Sequence, residues 1–180
     1  MAYRYEVRLS GAGGQGLILA GVILAEAAAI YDGKNALQSQ SYGPEARGGA
    51  SKSEVIISDE EIDYPKATQL DALLALTQEA CNKYYADLKE NGFLLIDSDF
   101  VTEIPPGKFK VYRIPIFTIA SKELGKSMAA NIVALGALVE LSQVVSYQAL
   151  EEAVLARVPK GTEELNRKAL HLGSTHAAML

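Results

Sequence analysis

Apolar and polar residues alternate along Tyr5–Ser10, and the run stops at a glycine cluster, which predicts a strand. The Ala- and Leu-rich stretch from Leu17 to Tyr31 predicts a buried helix, closed by Asp32-Gly33. Asn35 to Ser39 fits a short second strand. Residues 40–50 follow no period and predict a loop, with a strand over Ser53–Ser58 leaving it. Leu70 to Leu76 is apolar except for Asp71, the pattern of a strand covered on both faces. Gln78 to Glu90 has a helical pattern that stops at Asn91-Gly92. Phe93–Ile96 then predicts a buried strand ending at Asp97-Ser98-Asp99, and Lys110–Ile114 predicts one more.

After Pro115 the chain changes character. Helical patterns cover about 127–142, 146–157 and 163–172. Ser146 and Thr162 stand at N-cap positions, and Glu163-Glu164 suit the first turn of the last helix. This order predicts one α/β domain over residues 1–180: three α/β/α layers, a mostly parallel (mixed) sheet and a helical C-terminal part from about 116 to 180.

Composition narrows the chemistry. The 180 residues are 49% hydrophobic and 22% charged, as expected of a chain with a full core. A formal net charge of −5 without a basic run argues against a nucleic-acid or acidic-membrane surface. The most apolar stretch, about 14 residues from Leu17 to Ile30, contains Glu26 and is too short to span a bilayer. No secretory signal pattern opens the chain, so cytoplasmic residence is expected. Cys81 is the one cysteine and reads as a helix residue, because one thiol supports neither an internal disulfide nor an iron–sulfur cluster. His171 and His176 lack partners for a metal set and read as surface residues, so no metal ligand is assigned.

Gly11-Ala-Gly13-Gly14-Gln15-Gly16 sits between a predicted strand and a predicted helix. Glycines there permit a tight turn and close approach to a ligand, and the helix start favours an anion. Three readings stay open: a nicotinamide or flavin site, a site for another phosphate-bearing group, or glycines that serve only helix–strand packing. A dinucleotide site also wants an acid at the end of the second strand, and Leu37-Gln-Ser-Gln-Ser41 has none.

A second motif, Ser41-Tyr42-Gly43-Pro44-Glu45-Ala46-Arg47-Gly48-Gly49, precedes the strand at Ser53. Gly43 and Pro44 fix a turn, and Arg47 offers a planar cationic fork for a carboxylate or phosphate. The bland alternative is an ordered turn carrying a solvated Glu45–Arg47 pair.

Taken together, Gly11-x-Gly-Gly-Gln-Gly16, Tyr42-Gly-Pro-Glu-x-Arg-Gly-Gly49 and Ser53-Glu-Val-Ile-Ile-Ser58 resemble the gamma subunit of 2-oxoacid:ferredoxin oxidoreductases. Asp97, Ile114-Pro115, Asn131, Ala134-Leu-Gly136 and Asn166 continue the resemblance along nearly the whole chain. It implies a non-catalytic subunit of a heteromeric enzyme that converts a 2-oxoacid and coenzyme A to acyl-CoA and carbon dioxide. Thiamine diphosphate with Mg and 4Fe–4S clusters would sit in partner subunits: thiamine-binding alpha and beta chains and a ferredoxin-like delta chain, with ferredoxin as acceptor. This chain would carry no cofactor of its own and would help bind coenzyme A.

Carried onto this sequence, the resemblance makes Gly13, Gly14, Gln15 and Gly16 an anion cradle. Tyr42, Gly43, Pro44, Glu45, Arg47, Gly48 and Gly49 become a loop facing the catalytic subunits, and Asn131 a further polar contact. It is most like the 2-oxoglutarate enzymes, which make succinyl-CoA, with pyruvate and branched-chain oxoacids as alternatives. A stand-alone nucleotide-binding protein and a purely structural scaffold remain the competing classes. Expressed alone, such a subunit is expected to expose apolar surface and to self-associate.

Overall fold

The computed structural model describes residues 3–41 and 50–180. Six strands form one sheet in the order β2-β3-β1-β4-β5-β6. They are β1 (Arg4–Ala12), β2 (Asn35–Ser41), β3 (Ala50–Ser58), β4 (Leu70–Ala75), β5 (Leu88–Asp97) and β6 (Lys110–Ile114). The β1–β4, β4–β5 and β5–β6 pairs are parallel, whereas β3 runs antiparallel to both β1 and β2. The sheet is therefore mixed with a parallel majority, as expected.

The helices are α1 (Leu17–Glu26), which continues as a π-helical turn over Ala27–Tyr31, α2 (Gln78–Tyr84), the short α3 (Ile116–Thr118), α4 (Ala130–Ser142), α5 (Tyr147–Arg157) and α6 (Glu163–Ala178). One sheet face, carrying Val7, Leu9, Val55, Leu74 and Leu95, packs into a large core with α1, α4, α5 and α6. The other face carries Ile56, Leu73, Leu94 and Ile96 under α2 in a smaller core. Burial of β4 on both faces explains its unbroken apolar run.

That second face is polar along β1, because alternate residues of a strand point to opposite sides. Arg8 is 3% exposed and lies 5.1 Å from the centre of the Tyr84 ring of α2. Its guanidinium donates to Glu54 (2.7 Å), Asp87 (2.5 Å) and the Ala67 carbonyl (3.1 Å). Behind the first face, Gly136 of α4 and Gly173 of α6 let two helices cross closely. A β-carbon at Gly173 would collide with the Val133 carbonyl and stand 3.0 Å from the Ala137 nitrogen.

Four sequence expectations need correction. The helical pattern over 78–90 breaks at Tyr84, a single 3-10 turn follows, and Leu88–Asn91 join β5. Lys89 reaches Asp71 at 3.0 Å and Leu88 pairs with Leu70, tertiary contacts that override local helix preference. Asn91-Gly92 is thus no helix stop. A β-carbon at Gly92 would lie 2.9 Å from the Leu70 carbonyl oxygen, so strand pairing requires the glycine.

The expected loop at 40–50 is narrower at both ends, since Gln40 and Ser41 extend β2 and Ala50–Lys52 extend β3 through the pair Ser41↔Lys52. An exposed edge strand of Ser and Gln shows no apolar alternation and so gives no period to read. Ser146 caps α5 by accepting from the Ala149 N–H at 3.1 Å, but the Thr162 side chain donates to the Pro159 carbonyl instead of capping α6. Finally, α6 runs six residues beyond the expected end at 172, to Ala178, with His176 set 3.0 Å from Glu123.

A candidate binding cleft at the glycine loop

Helix α1 follows β1 on one sheet face, and α2 follows β4 on the other. The chain thus winds in opposite senses from two neighbouring parallel strands. Open α/β sheets bind ligands at such a point, beyond the carboxyl ends of the strands. The glycine loop is placed there by β1.

Within that loop the glycines divide by role. A β-carbon on Gly11 would strike the Gln15 amide oxygen, which accepts the Ala12 N–H at 2.6 Å and ties the turn together. Gly16 is the N-cap of α1 with φ 74°, and its carbonyl accepts from Ala20 N–H (3.0 Å) and Asn131 Nδ2 (3.1 Å). A β-carbon on Gly16 would lie 2.5 Å from that amide nitrogen. These two glycines serve packing. Among the described residues nothing lies within 4 Å of a β-carbon built on Gly13 or Gly14, and Gly14 has φ 85°. Packing against the described residues therefore does not require glycine at 13 or 14, and both border the hollows that flank the loop.

Gly14, Gln15, Gly16 and Asn131 line one cleft of about 440 Å³. Leu19 and Leu76 continue its wall, and Phe100, Phe117 and Met128 form an apolar lip. Phe100 and Phe117 meet edge to face, centroids 5.4 Å apart, and Met128 is 94% exposed. Asp97, at the carboxyl end of β5, supplies the one charged side chain among the described lining residues. It is only 3% exposed and accepts N–H bonds from Asp99 (3.0 Å) and Phe117 (3.1 Å). Its main-chain carbonyl accepts from Phe100 (3.1 Å) and Val101 (2.9 Å), so Asp97 anchors both aromatic residues. Burial pushes its pKa up to about 6, the neighbouring Asp99 charge adds to the rise, and the N–H bonds from Asp99 and Phe117 oppose it.

A second hollow of about 290 Å³ lies across the loop, bordered by Ala12, Gly13, Ile18 and Ser51. The pairs Gly11↔Ser51 and Ala12↔Ala50 fix the start of β3 beside the glycine loop. Ser41 and Ala50, the described flanks of the second motif, therefore lie at the same end of the sheet as the cleft. Tyr42, Gly43, Pro44, Glu45, Arg47, Gly48 and Gly49 lie outside the described residues.

The structure thus brings together Gly14, Gln15, Gly16 and Asn131, residues up to 117 positions apart in sequence, and sets Gly13 in the adjoining hollow. Asp97 and the apolar lip were not among the expected site residues. An acid closing a buried parallel strand was the available signal for Asp97. Cys81 is buried in α2, and burial pushes its thiol pKa up. Among the described residues no group of three or more His, Cys, Asp or Glu could hold a metal ion, and no helix is long and apolar enough to cross a membrane.

Comparison with known families places the chain. The family model described as pyruvate ferredoxin/flavodoxin oxidoreductase matches residues 6–175. The chain belongs to this family. It is 56% identical over 172 residues to the 2-oxoglutarate synthase subunit KorC of Methanocaldococcus jannaschii, covering 94% of this chain and 92% of that protein. Among solved structures it resembles the keto/oxoacid ferredoxin oxidoreductase gamma subunit of Geobacter sulfurreducens, with TM-score 0.93 and 63% identity over 99% of this chain and 98% of the other. It also resembles part of the 2-oxoglutarate:ferredoxin oxidoreductase of Magnetococcus marinus, solved with 2-oxoglutarate, coenzyme A and succinyl-CoA bound. There the TM-score is 0.86 at 26% identity, covering 98% of this chain but 31% of that one. The fold described above is thus that of an oxoacid oxidoreductase gamma subunit.

Proposed function

We propose that this chain is the gamma subunit of a 2-oxoglutarate:ferredoxin oxidoreductase, the heteromeric enzyme that converts 2-oxoglutarate and coenzyme A to succinyl-CoA and carbon dioxide. The observation that carries the choice of oxoacid is the 56% identity to a 2-oxoglutarate synthase subunit over nearly the whole of both chains. The subunit works in the cytoplasm with thiamine-binding alpha and beta chains, a ferredoxin-like delta chain and ferredoxin as acceptor. One cysteine in the sequence cannot supply the four ligands of an iron–sulfur cluster, so electron transfer is assigned to the partners.

The chain contributes binding and orientation. Its glycine loop fits a coenzyme A phosphate, because no described residue covers the backbone at Gly13 and Gly14 beside the start of α1. Gln15 and Asn131 hold that backbone in place through the Ala12 and Gly16 bonds. Tyr42, Gly43, Pro44, Glu45, Arg47, Gly48 and Gly49 complete the site or face the catalytic subunits. With coenzyme A held, the thiol is presented to the partners' thiamine centre and water is excluded from it.

The test is purification of the native complex and assay of ferredoxin reduction. Coenzyme A-dependent turnover of 2-oxoglutarate, with pyruvate and branched-chain oxoacids much slower, is expected. Turnover of pyruvate without 2-oxoglutarate would overturn the substrate assignment. Activity of the isolated chain would overturn the subunit assignment.

A further inference from the structure

The two edges of the sheet are built differently. At one edge β6 carries the exposed cations Lys110 and Arg113, one on each face, and the exposed Lys108 precedes it. Cationic side chains of this kind keep an open edge from pairing with another chain. At the other edge β2 has no such guard. Its seven residues, Asn35-Ala-Leu-Gln-Ser-Gln-Ser41, include no charge and no proline, and none of them is buried. They pair with β3 residue for residue, from Asn35↔Ser58 to Ser41↔Lys52, without a bulge. Among the described residues no strand bonds to the outer side of β2. The outward N–H and C=O groups of such a strand are a template for one more strand.

Side-chain chemistry selects which strand fits. Every polar side chain of β2 is an amide or a hydroxyl, groups that both donate and accept. A two-fold axis sets an edge antiparallel to its own copy, so these groups meet their own kind. Amides and hydroxyls satisfy one another in that arrangement, whereas like charges set directly opposite repel. The same operation on β6 would set Lys110 and Arg113 against cations of the second copy. With a net charge of −5 on the chain, two copies meet with least repulsion along an uncharged edge. Gln38 donates to Gln40 at 3.0 Å, which lines the two amides up along one face. On the other face Leu37, paired with Ile56, is only half-buried and gains cover from a neighbouring strand.

We propose that β2 is a self-pairing edge: two copies of this chain join antiparallel through Asn35–Ser41, about a two-fold axis perpendicular to the sheet, and their six-stranded sheets become one. Strand β2 runs parallel to β1, because each is antiparallel to β3. The axis therefore turns the carboxyl ends of the two sheets in opposite directions. The two glycine loops face away from each other, and the joint uses neither.

Analytical ultracentrifugation of the full chain tests this. Wild type should show a monomer–dimer equilibrium. Ser39→Lys and Ser39→Glu each put a charge on an exposed side chain of the edge, and each should raise the dimer dissociation constant at least about tenfold with an unchanged circular dichroism spectrum. Mixing the two variants should restore a dimer holding one copy of each. Lys110→Glu, a charge change at the opposite edge, should leave the equilibrium within about twofold of wild type. If the Ser39 variants misfold, Gln40→Lys and Gln40→Glu repeat the test on the other face of the same strand. A monomeric wild type, a dimer indifferent to charge on β2, or opposite-charge variants that stay monomeric when mixed would each overturn the proposal. A monomeric wild type combined with loss of another subunit from an assembled enzyme carrying Ser39→Lys would assign the edge to that subunit instead of a second copy.

Discussion

Gly14→Val tests whether the glycine loop is open for a ligand or only for packing. The substitution has two separable effects. Valine at φ 85° sits in the left-handed region, at a cost of roughly 1–2 kcal/mol to the fold, somewhat more for a β-branched side chain. Its side chain also enters the open space that borders both hollows. Blocking one backbone hydrogen bond to a charged phosphate removes about 1.5–3 kcal/mol, or roughly ten- to a hundredfold in affinity.

Gly33 supplies a matched control. It has φ 66°, no described residue lies within 4 Å of its β-carbon, and it stands at the far end of α1 in the turn into β2. Gly33→Val should therefore lower stability by a similar amount and leave coenzyme A binding alone. The assay is urea unfolding of each variant, followed by the KM for coenzyme A and for 2-oxoglutarate in the assembled complex. Gly14→Val should raise the coenzyme A KM tenfold or more with the 2-oxoglutarate KM little changed. A coenzyme A KM within about twofold of wild type, in a complex that assembles normally, would refute the cradle.

Other consequences concern the scaffold. Arg8→Met should destabilise the isolated chain by about 3–5 kcal/mol, because it leaves the buried Glu54 carboxylate without its main partner; urea unfolding measures this. Gly173→Ala should lower the thermal midpoint despite the better helix propensity of alanine, since the new methyl collides with the Val133 carbonyl of α4; calorimetry decides. Asp97 carries a signed pH effect. Its folded pKa, about 6, exceeds the ordinary 3.8, so its stabilising contribution is full below about pH 4 and is lost as pH rises through 6. The stability of wild type relative to Asp97→Asn should fall between pH 4 and 7.5 in urea titrations, and a rise across that window would contradict the assigned burial.

Much of the scaffold was legible because its signals are local. The continuous apolar run of β4, the glycines after β1 and the Ser146 cap each report a constraint felt within a few residues. Where distant groups decide, the sequence misled. Lys89 reads as part of a helix until Asp71 is seen beside it, and Gly92 reads as a helix stop until the Leu70 and Asp71 carbonyls are placed against it. The site follows the same division. Its glycines announce themselves by spacing, and Asn131 came only through the family resemblance. The Asp97 carboxylate and the Phe100–Phe117 lip come from the ends of β5 and β6; the close of a buried strand was the one local hint for Asp97, and nothing near Phe100 or Phe117 marks them as facing the loop at residues 13–16.

Coenzyme A is proposed to meet this subunit at the glycine loop. The most direct measurement is a density map of the assembled enzyme with coenzyme A bound. Ligand density against the backbone of Gly13 and Gly14 is the predicted result. Coenzyme A bound elsewhere, with the cleft filled by side chains of a partner subunit, would contradict it.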